Sequence, residues 1–143
     1  MGTRFVATYE CDADENFKQA YMNCKKEDII IIDSPVGIPA RVIRNKFIND
    51  VTAGIKKPFK CPLRCLRTCK FPETPYCIAY ALTNAKLGHL ENGFALIGVN
   101  GYRVNKIISV KDLIKSLLIE YEIASKQEKY RQRLFPISRL KFV

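Results

Sequence analysis

The sequence predicts an α/β chain in which helix predominates. Val110, Leu113, Ile114, Leu117, Leu118 and Tyr121 recur at i, i+3, i+4 and i+7, the period of a helix with one apolar face. Asp28–Asp33 reads DIIIID, a β-branched block closed by charges, which suits a buried strand. Residues 56–77 follow neither period and carry four prolines and four cysteines.

From the start, Thr3–Thr8 alternates around Phe5 and Val6 and is expected to be a short strand. Asp12 then opens a helix, with Glu15 three residues on completing a capping-box pattern. Phe17, Ala20, Tyr21 and Cys24 form its apolar stripe, through about residue 26. The Asp28–Asp33 strand follows, then a turn over Ser34–Pro39. Pro39 suits the first turn of a helix from Ala40 to about Val51, with Ile43, Phe47 and Val51 four apart and Gly54 ending it. Thr74-Pro75 starts another helix, with Ile78, Ala81, Leu82 and Ala85 inward and Gly88 near its end. Asn92-Gly93 marks a turn. Phe94–Val99 is strand or extended loop, leading into the glycine-rich Gly98-Val99-Asn100-Gly101. Ser109 and Asp112 cap the long helix, whose apolar pattern fails after about Ala124.

The chain has 143 residues, 48% of them apolar and 27% charged, enough for one domain with a core and too few for a complete (β/α)8 barrel of about 250 residues. No apolar run approaches the ~18 residues of a membrane span, and no secretory leader opens the chain, so a cytoplasmic protein is expected. The net charge of +10 is uneven. Residues 41–70 hold nine basic side chains against one acidic, and residues 126–143 hold six against one. Blocks of this kind attract nucleic acid or phosphates, yet no nucleic-acid-binding motif accompanies them.

In a reducing compartment the six cysteines are a poor disulfide framework. Cys61, Cys65, Cys69 and Cys77 are spaced C-x3-C-x3-C-x7-C, and thiolates suit zinc or iron–sulfur centres. Lys60, Arg64, Arg67 and Lys70 favour the thiolate form. In a regular helix Cys61 and Cys69 would lie about 12 Å apart along the axis, so a four-thiol site needs the segment bent at Pro72 and Pro75. The alternative is a set of reduced cysteines in a helical subdomain.

Four segments taken in order carry a family resemblance: MGTRFVATYECDADENFKQAY, IIDSPVGIPARVIRNKF, CPLRCLRTCKFPETPYCIAYALTNA and GFALIGVNGYRVNKIISVKDLI. Over roughly residues 1–122 they resemble the carboxyl-terminal portion of nitronate monooxygenase (2-nitropropane dioxygenase) flavoproteins, which are related to FMN-type enoyl-acyl-carrier-protein reductases. The resemblance implies the last strand region of a TIM-like barrel plus a small helical subdomain, with the barrel incomplete. It implies a barrel-derived strand, helix and strand over 1–33 and a Cys-rich helical subdomain over 34–93. A return segment and helix over 94–124 and a basic tail over 125–143 follow.

It also implies FMN, with Gly2 and Thr3 matching positions whose amides hold its phosphate. The Gly98, Asn100 and Gly101 loop would approach the flavin or the substrate cleft. The family's catalytic histidine matches nothing here: His89 lies in a turn, and no catalytic residue is expected in this chain. The family reaction is oxidation of an alkyl nitronate by dioxygen. This chain is expected to be the last part of such an enzyme, from a split, truncated or internally started gene, and inactive alone; complementation by a separate amino-terminal barrel chain is the second reading. The alternative is a non-enzymatic metal- or cluster-binding module with a basic face for nucleic acid.

Overall fold

The computed structural model describes residues 2–57, 59, 61, 65, 67, 69, 70 and 73–134. Helices α1 (Gly2–Val6) and α2 (Glu15–Met22) lead to an antiparallel hairpin of β1 (Ile29–Asp33) and β2 (Pro39–Ile43). Helices α3 (Lys46–Thr52), α4 (Ile78–Lys86) and the 25-residue α5 (Val110–Leu134) follow. Among the described residues, no helix is long and apolar enough to cross a membrane.

β2 is the hub. It pairs with β1 from Ile29↔Ile43 to Asp33↔Pro39. Its other edge takes the extended segment 94–97: Ile43 N donates to the Ala95 carbonyl and Ile97 N to the Arg41 carbonyl, both at 3.0 Å. Because successive strand residues face opposite sides, these strands feed two cores. Val42 and Phe94 pack with Phe47, Ile48, Tyr76 and Ala81 on one side. Ile43, Ala95 and Ile97 pack with Tyr21 and Cys24 on the other. The first core is knit by aromatic contacts, Phe47 to Tyr76 at 5.2 Å and Tyr76 to Phe94 at 5.8 Å, both edge-to-face. In the second, the Tyr21 hydroxyl donates to the Leu96 carbonyl at 2.7 Å.

Several expectations are corrected. Residues 2–6 are helix, not strand. A strand there would need a ladder partner, and among the described residues this segment makes one parallel bridge, Thr8 to Ile108. Coiling satisfies the backbone locally, and the Thr8 hydroxyl donates to the Phe5 carbonyl at 2.8 Å.

The helix expected from Ala40 divides into strand β2 and helix α3. Pairing of Val42 and Ile43 on β1 wins over the helical spacing of Ile43 to Phe47. Asn45 marks the break: its Oδ1 accepts from Ile48 N at 2.9 Å, while its Nδ2 donates to the Leu90 and Gly93 carbonyls at 3.0 and 2.7 Å.

Helix α2 is capped by Asp14, not Asp12; Asp14 accepts from Asn16 N at 2.8 Å, and Asp12 instead pairs with Lys86 at 2.7 Å. The helix ends at Met22, and α4 begins at Ile78 rather than at Pro75. The long helix runs ten residues past Ala124, so 125–134 is helical and only 135–143 lies outside the described residues.

Gly54 and Gly88 adopt φ of +86° after α3 and α4, as the helix-stop pattern requires. A side chain at Gly88 would run into the Asp14 carboxylate, which is where α2 docks on the end of α4. At its own start α5 is held by two devices. Glu10 accepts from Val110 N at 2.9 and 3.0 Å, and Ser109 Oγ accepts from Asp112 N at 3.1 Å. The expected Ser109 cap is therefore present, reinforced by a carboxylate from the first segment.

Candidate functional site

A cleft of about 510 Å³ opens between α1, the loop 98–106 and α5. It is large enough for a small organic ligand. Thr3 and Gly98 form its seam: Gly98 N donates to Thr3 Oγ1 at 3.0 Å across 95 residues of sequence. A turn then carries the chain into the cleft wall, with Gly101 N on the Gly98 carbonyl at 2.8 Å and Arg103 N on the Asn100 carbonyl at 3.1 Å. Gly101 is buried, and a Cβ there would collide with Ile97 Cγ1 and Cδ1. Only a bare backbone lets the turn sit this close to the second core. At Gly98 a Cβ would make no worse than a 3.4 Å contact with Thr3 Oγ1, so this glycine keeps the cleft open rather than the fold intact.

Arg4 and Glu120 close one end. Arg4 Nη1 donates to Glu120 Oε2 at 2.7 Å, and Nη2 donates to Oε1 and to Ser116 Oγ, each at 3.0 Å. That fork holds the Glu120 carboxyl below its ordinary range, chiefly through the hydrogen bond from Arg4, with Arg103 adding a weaker field. Arg103 and Lys106 also line the cleft and are exposed. The cleft therefore offers two solvent-facing cations beside a glycine-rich turn, a donor set suited to a phosphate or another anion.

Of the residues the sequence marked, Thr3, Gly98, Asn100 and Gly101 come together here. Gly2 is the exposed first residue of α1 and lies outside the lining. Arg4, Arg103, Lys106 and Glu120 were missed. A charge pair separated by 116 residues leaves no periodic trace, although Arg4 sits inside the GTRF segment.

The cysteine expectation fares differently. Cys61, Cys69 and Cys77 are partly exposed free thiols and Cys65 is an exposed one. Among the described residues, no three His, Cys, Asp or Glu side chains are placed to hold a metal ion, which leaves the zinc or iron–sulfur expectation without support. Lys60, Arg64 and Pro72, invoked for that cluster, lie outside the described residues. His89 is exposed, with Nδ1 3.7 Å from Glu91 Oε1.

The sequence matches the nitronate monooxygenase family profile over residues 1–120. No curated protein matches it. Among solved structures it is similar to FabK from Thermotoga maritima, with 27% identity and a TM-score of 0.67 over 91% of this chain and 39% of that one. It is likewise similar to the M276A mutant of the same FabK, with 25% identity and a TM-score of 0.65 over 91% of this chain and 36% of that one. The chain thus spans little more than a third of the length of these relatives. With the profile covering most of its length, the chain belongs to the nitronate monooxygenase family.

Proposed function

We infer that this chain is the carboxyl-terminal part of an FMN-dependent oxidoreductase that, when complete, oxidises alkyl nitronates with dioxygen. The observation that carries the reading is the Thr3–Gly98 hydrogen bond, which joins the two glycine-bearing segments of the family resemblance at one cleft. The donor set there fits the phosphate end of FMN: exposed Arg103 and Lys106, beside the turn from Gly98 to Gly101. Thr3 adds a first-turn amide of α1, which has no acceptor within the helix, while Gly2 stands outside the cleft lining.

When bound, FMN supplies the electron-transfer chemistry. The residues of this chain would bind and orient it. Arg103 and Lys106 would neutralise its phosphate and Gly98 would leave room for its approach, while the Arg4–Glu120 fork fixes α1 against α5 so that the seam keeps its spacing. No residue of this chain is assigned a proton-transfer role. The flavin ring and the nitronate require walls that a single barrel-derived segment does not supply, so the chain alone does not turn over. A separate amino-terminal barrel chain is its proposed partner.

The test compares the purified chain with the same chain co-expressed with an amino-terminal family segment. FMN binding is read by quenching of flavin fluorescence and turnover by oxygen uptake with an alkyl nitronate. Binding and uptake are expected only for the pair. A chain that is yellow and active by itself would sink the proposal of dependence, and a co-purifying pair that binds no FMN would sink the flavin reading.

A further inference from the structure

The outer part of α5 carries a second apolar stripe that runs mostly beyond the family match. The family match ends at residue 120, while the helix continues to Leu134. Leu113 anchors α5 to the body and is buried, and Ser116 and Glu120 meet Arg4. Ile119, Ile123 and Tyr130 point elsewhere and are 58%, 52% and 65% exposed. On a helix of 3.6 residues per turn, positions 119, 123, 126 and 130 fall within one narrow band. Their spacing of four, three and four is that of a coiled-coil seam.

We propose that this stripe is a self-association surface, on which α5 of a second copy lies antiparallel to form a short two-helix coil. The seam itself dictates the orientation. Set antiparallel about a twofold axis between Ala124 and Ser125, Ile119 of one copy meets Tyr130 of the other, and Ile123 meets the aliphatic stem of Lys126. All four layers are filled by these two pairings and their symmetry mates. A long lysine covers apolar surface with its methylenes and carries its charge to the edge.

Charge selects the same register. Glu122 and Lys129 flank the seam on one side, and in an antiparallel coil the residues of that flank face each other. Glu122 of each copy then faces Lys129 of the other, twice per dimer. The neighbouring flank sets the neutral Gln127 beside Glu120, whose carboxylate Arg4 of its own chain already holds. A parallel arrangement would instead set Glu122 beside the neutral Gln127 and stack Lys126 on Lys126 in the seam itself, which loses the attraction and adds a like-charge contact. The chemistry on the page therefore fits a second copy in one orientation.

The paired span is about 18 Å of helix, which is short for a coiled coil. The buried area falls below the ~1,200–2,000 Å² of a standard interface, so the dimer is expected to be weak, with dissociation on the order of micromolar or above.

Sedimentation equilibrium of the full chain, with circular dichroism to check that the helix persists, tests the proposal by charge reversal. Glu122→Lys and Lys129→Glu, each alone, are expected to weaken dimerisation about tenfold, since each converts two attractive contacts into two repulsive ones. The double variant E122K/K129E restores the attractive pattern and is expected to recover the dimer. Within one helix these residues are two turns apart, so recovery reports on contact between copies. Carbodiimide treatment of mixed light- and heavy-isotope chains is expected to join Glu122 of one copy to Lys129 of the other. A chain that stays monomeric to millimolar concentration, or a dimer indifferent to both single reversals, overturns the proposal. So does loss in the single variants without recovery in the double, which assigns the stripe to another occupant, such as an amino-terminal partner or an anionic membrane surface.

Discussion

Arg4 grips Glu120 with both arms of its guanidinium, at 2.7 and 3.0 Å, and so ties the first helix of the chain to the last long one. The pair is solvent-accessible, with Arg4 34% and Glu120 59% exposed, so its contribution to stability is modest and screened by salt. Its main consequence is positional: it holds one end of the cleft at which Thr3 meets Gly98.

The Arg4–Glu120 pair predicts a pH dependence. The Glu120 carboxyl is held below its ordinary value, first by the hydrogen bond from Arg4. A carboxylate depressed in the folded state contributes fully above its unfolded pKa, and the contribution is lost as pH falls through the folded value. Urea midpoints of the native chain and Glu120→Gln should therefore differ by a small constant amount at neutral pH, and the difference should close on acidification below about pH 4. A difference that persists unchanged in acid would show that the carboxylate charge is not what Arg4 recognises.

Asn45 predicts a larger and charge-independent loss. Its side chain caps α3 through Ile48 N and also donates to the Leu90 and Gly93 carbonyls. Three backbone groups from two distant segments share one amide. Asn45→Ala removes the cap and leaves two part-buried carbonyls seeking water, a cost of about 2–3 kcal/mol. Asn45→Ser keeps a capping acceptor for the first turn of α3 but loses both donors, so it should fall between. Chemical denaturation of the two variants checks the order; equal losses would contradict a divided role.

The same residue marks where the sequence stops being legible. α4 and the first half of α5 follow their local periods and appear where those periods place them; β1 appears where its β-branched run places it, although none of its residues is fully buried. β2 does not, because its conformation is decided by the neighbouring strand: Ile43 sits four residues before Phe47 and eight before Val51 and reads equally well as helix. α1 is too short for alternation to separate helix from strand. Residues 125–134 do not continue the stripe of Val110 to Tyr121 yet stay helical, since Lys126, Gln127, Glu128, Lys129 and Arg131 are good helix formers in their own right. The cleft was partly legible: Thr3, Gly98, Asn100 and Gly101 follow from family resemblance and do converge. Its charges were not, because Arg4 and Glu120 acquire meaning only through the fold.

Two buried tyrosines predict opposite responses to the loss of a hydroxyl. The Tyr21 hydroxyl donates to the Leu96 carbonyl at 2.7 Å. The Tyr76 hydroxyl is buried and has no hydrogen-bond partner among the described residues. Tyr21→Phe should cost about 1 kcal/mol by orphaning a carbonyl, while Tyr76→Phe should be neutral or mildly stabilising, because no bond is lost and a desolvated hydroxyl is removed. Burial also pushes the Tyr76 phenol up to about 12. The unfolded chain ionises first, near pH 10, so stability should decline from there upward, and Tyr76→Phe should soften the decline. Denaturation midpoints across pH 9 to 12 provide the check, and a cost for Tyr76→Phe equal to that for Tyr21→Phe would reveal a partner for its hydroxyl.

Arg103 and Lys106 predict how the cleft distinguishes ligands. Both are exposed and lie beside the turn from Gly98 to Gly101, so reversing their charge should leave the fold almost untouched. Their proposed work is on the phosphate of FMN. In the two-part enzyme, Arg103→Glu and Lys106→Glu should each weaken FMN binding about ten- to a hundredfold, an attraction replaced by repulsion at short range. Riboflavin has the same ring system and no phosphate, so its binding should be nearly unchanged. Raising the salt concentration should shrink the FMN effect and leave riboflavin alone. If both ligands weaken together, these cations shape the cleft without reading the phosphate. If neither weakens, the phosphate is held elsewhere, and the Thr3–Gly98 seam is a packing contact and not a flavin site.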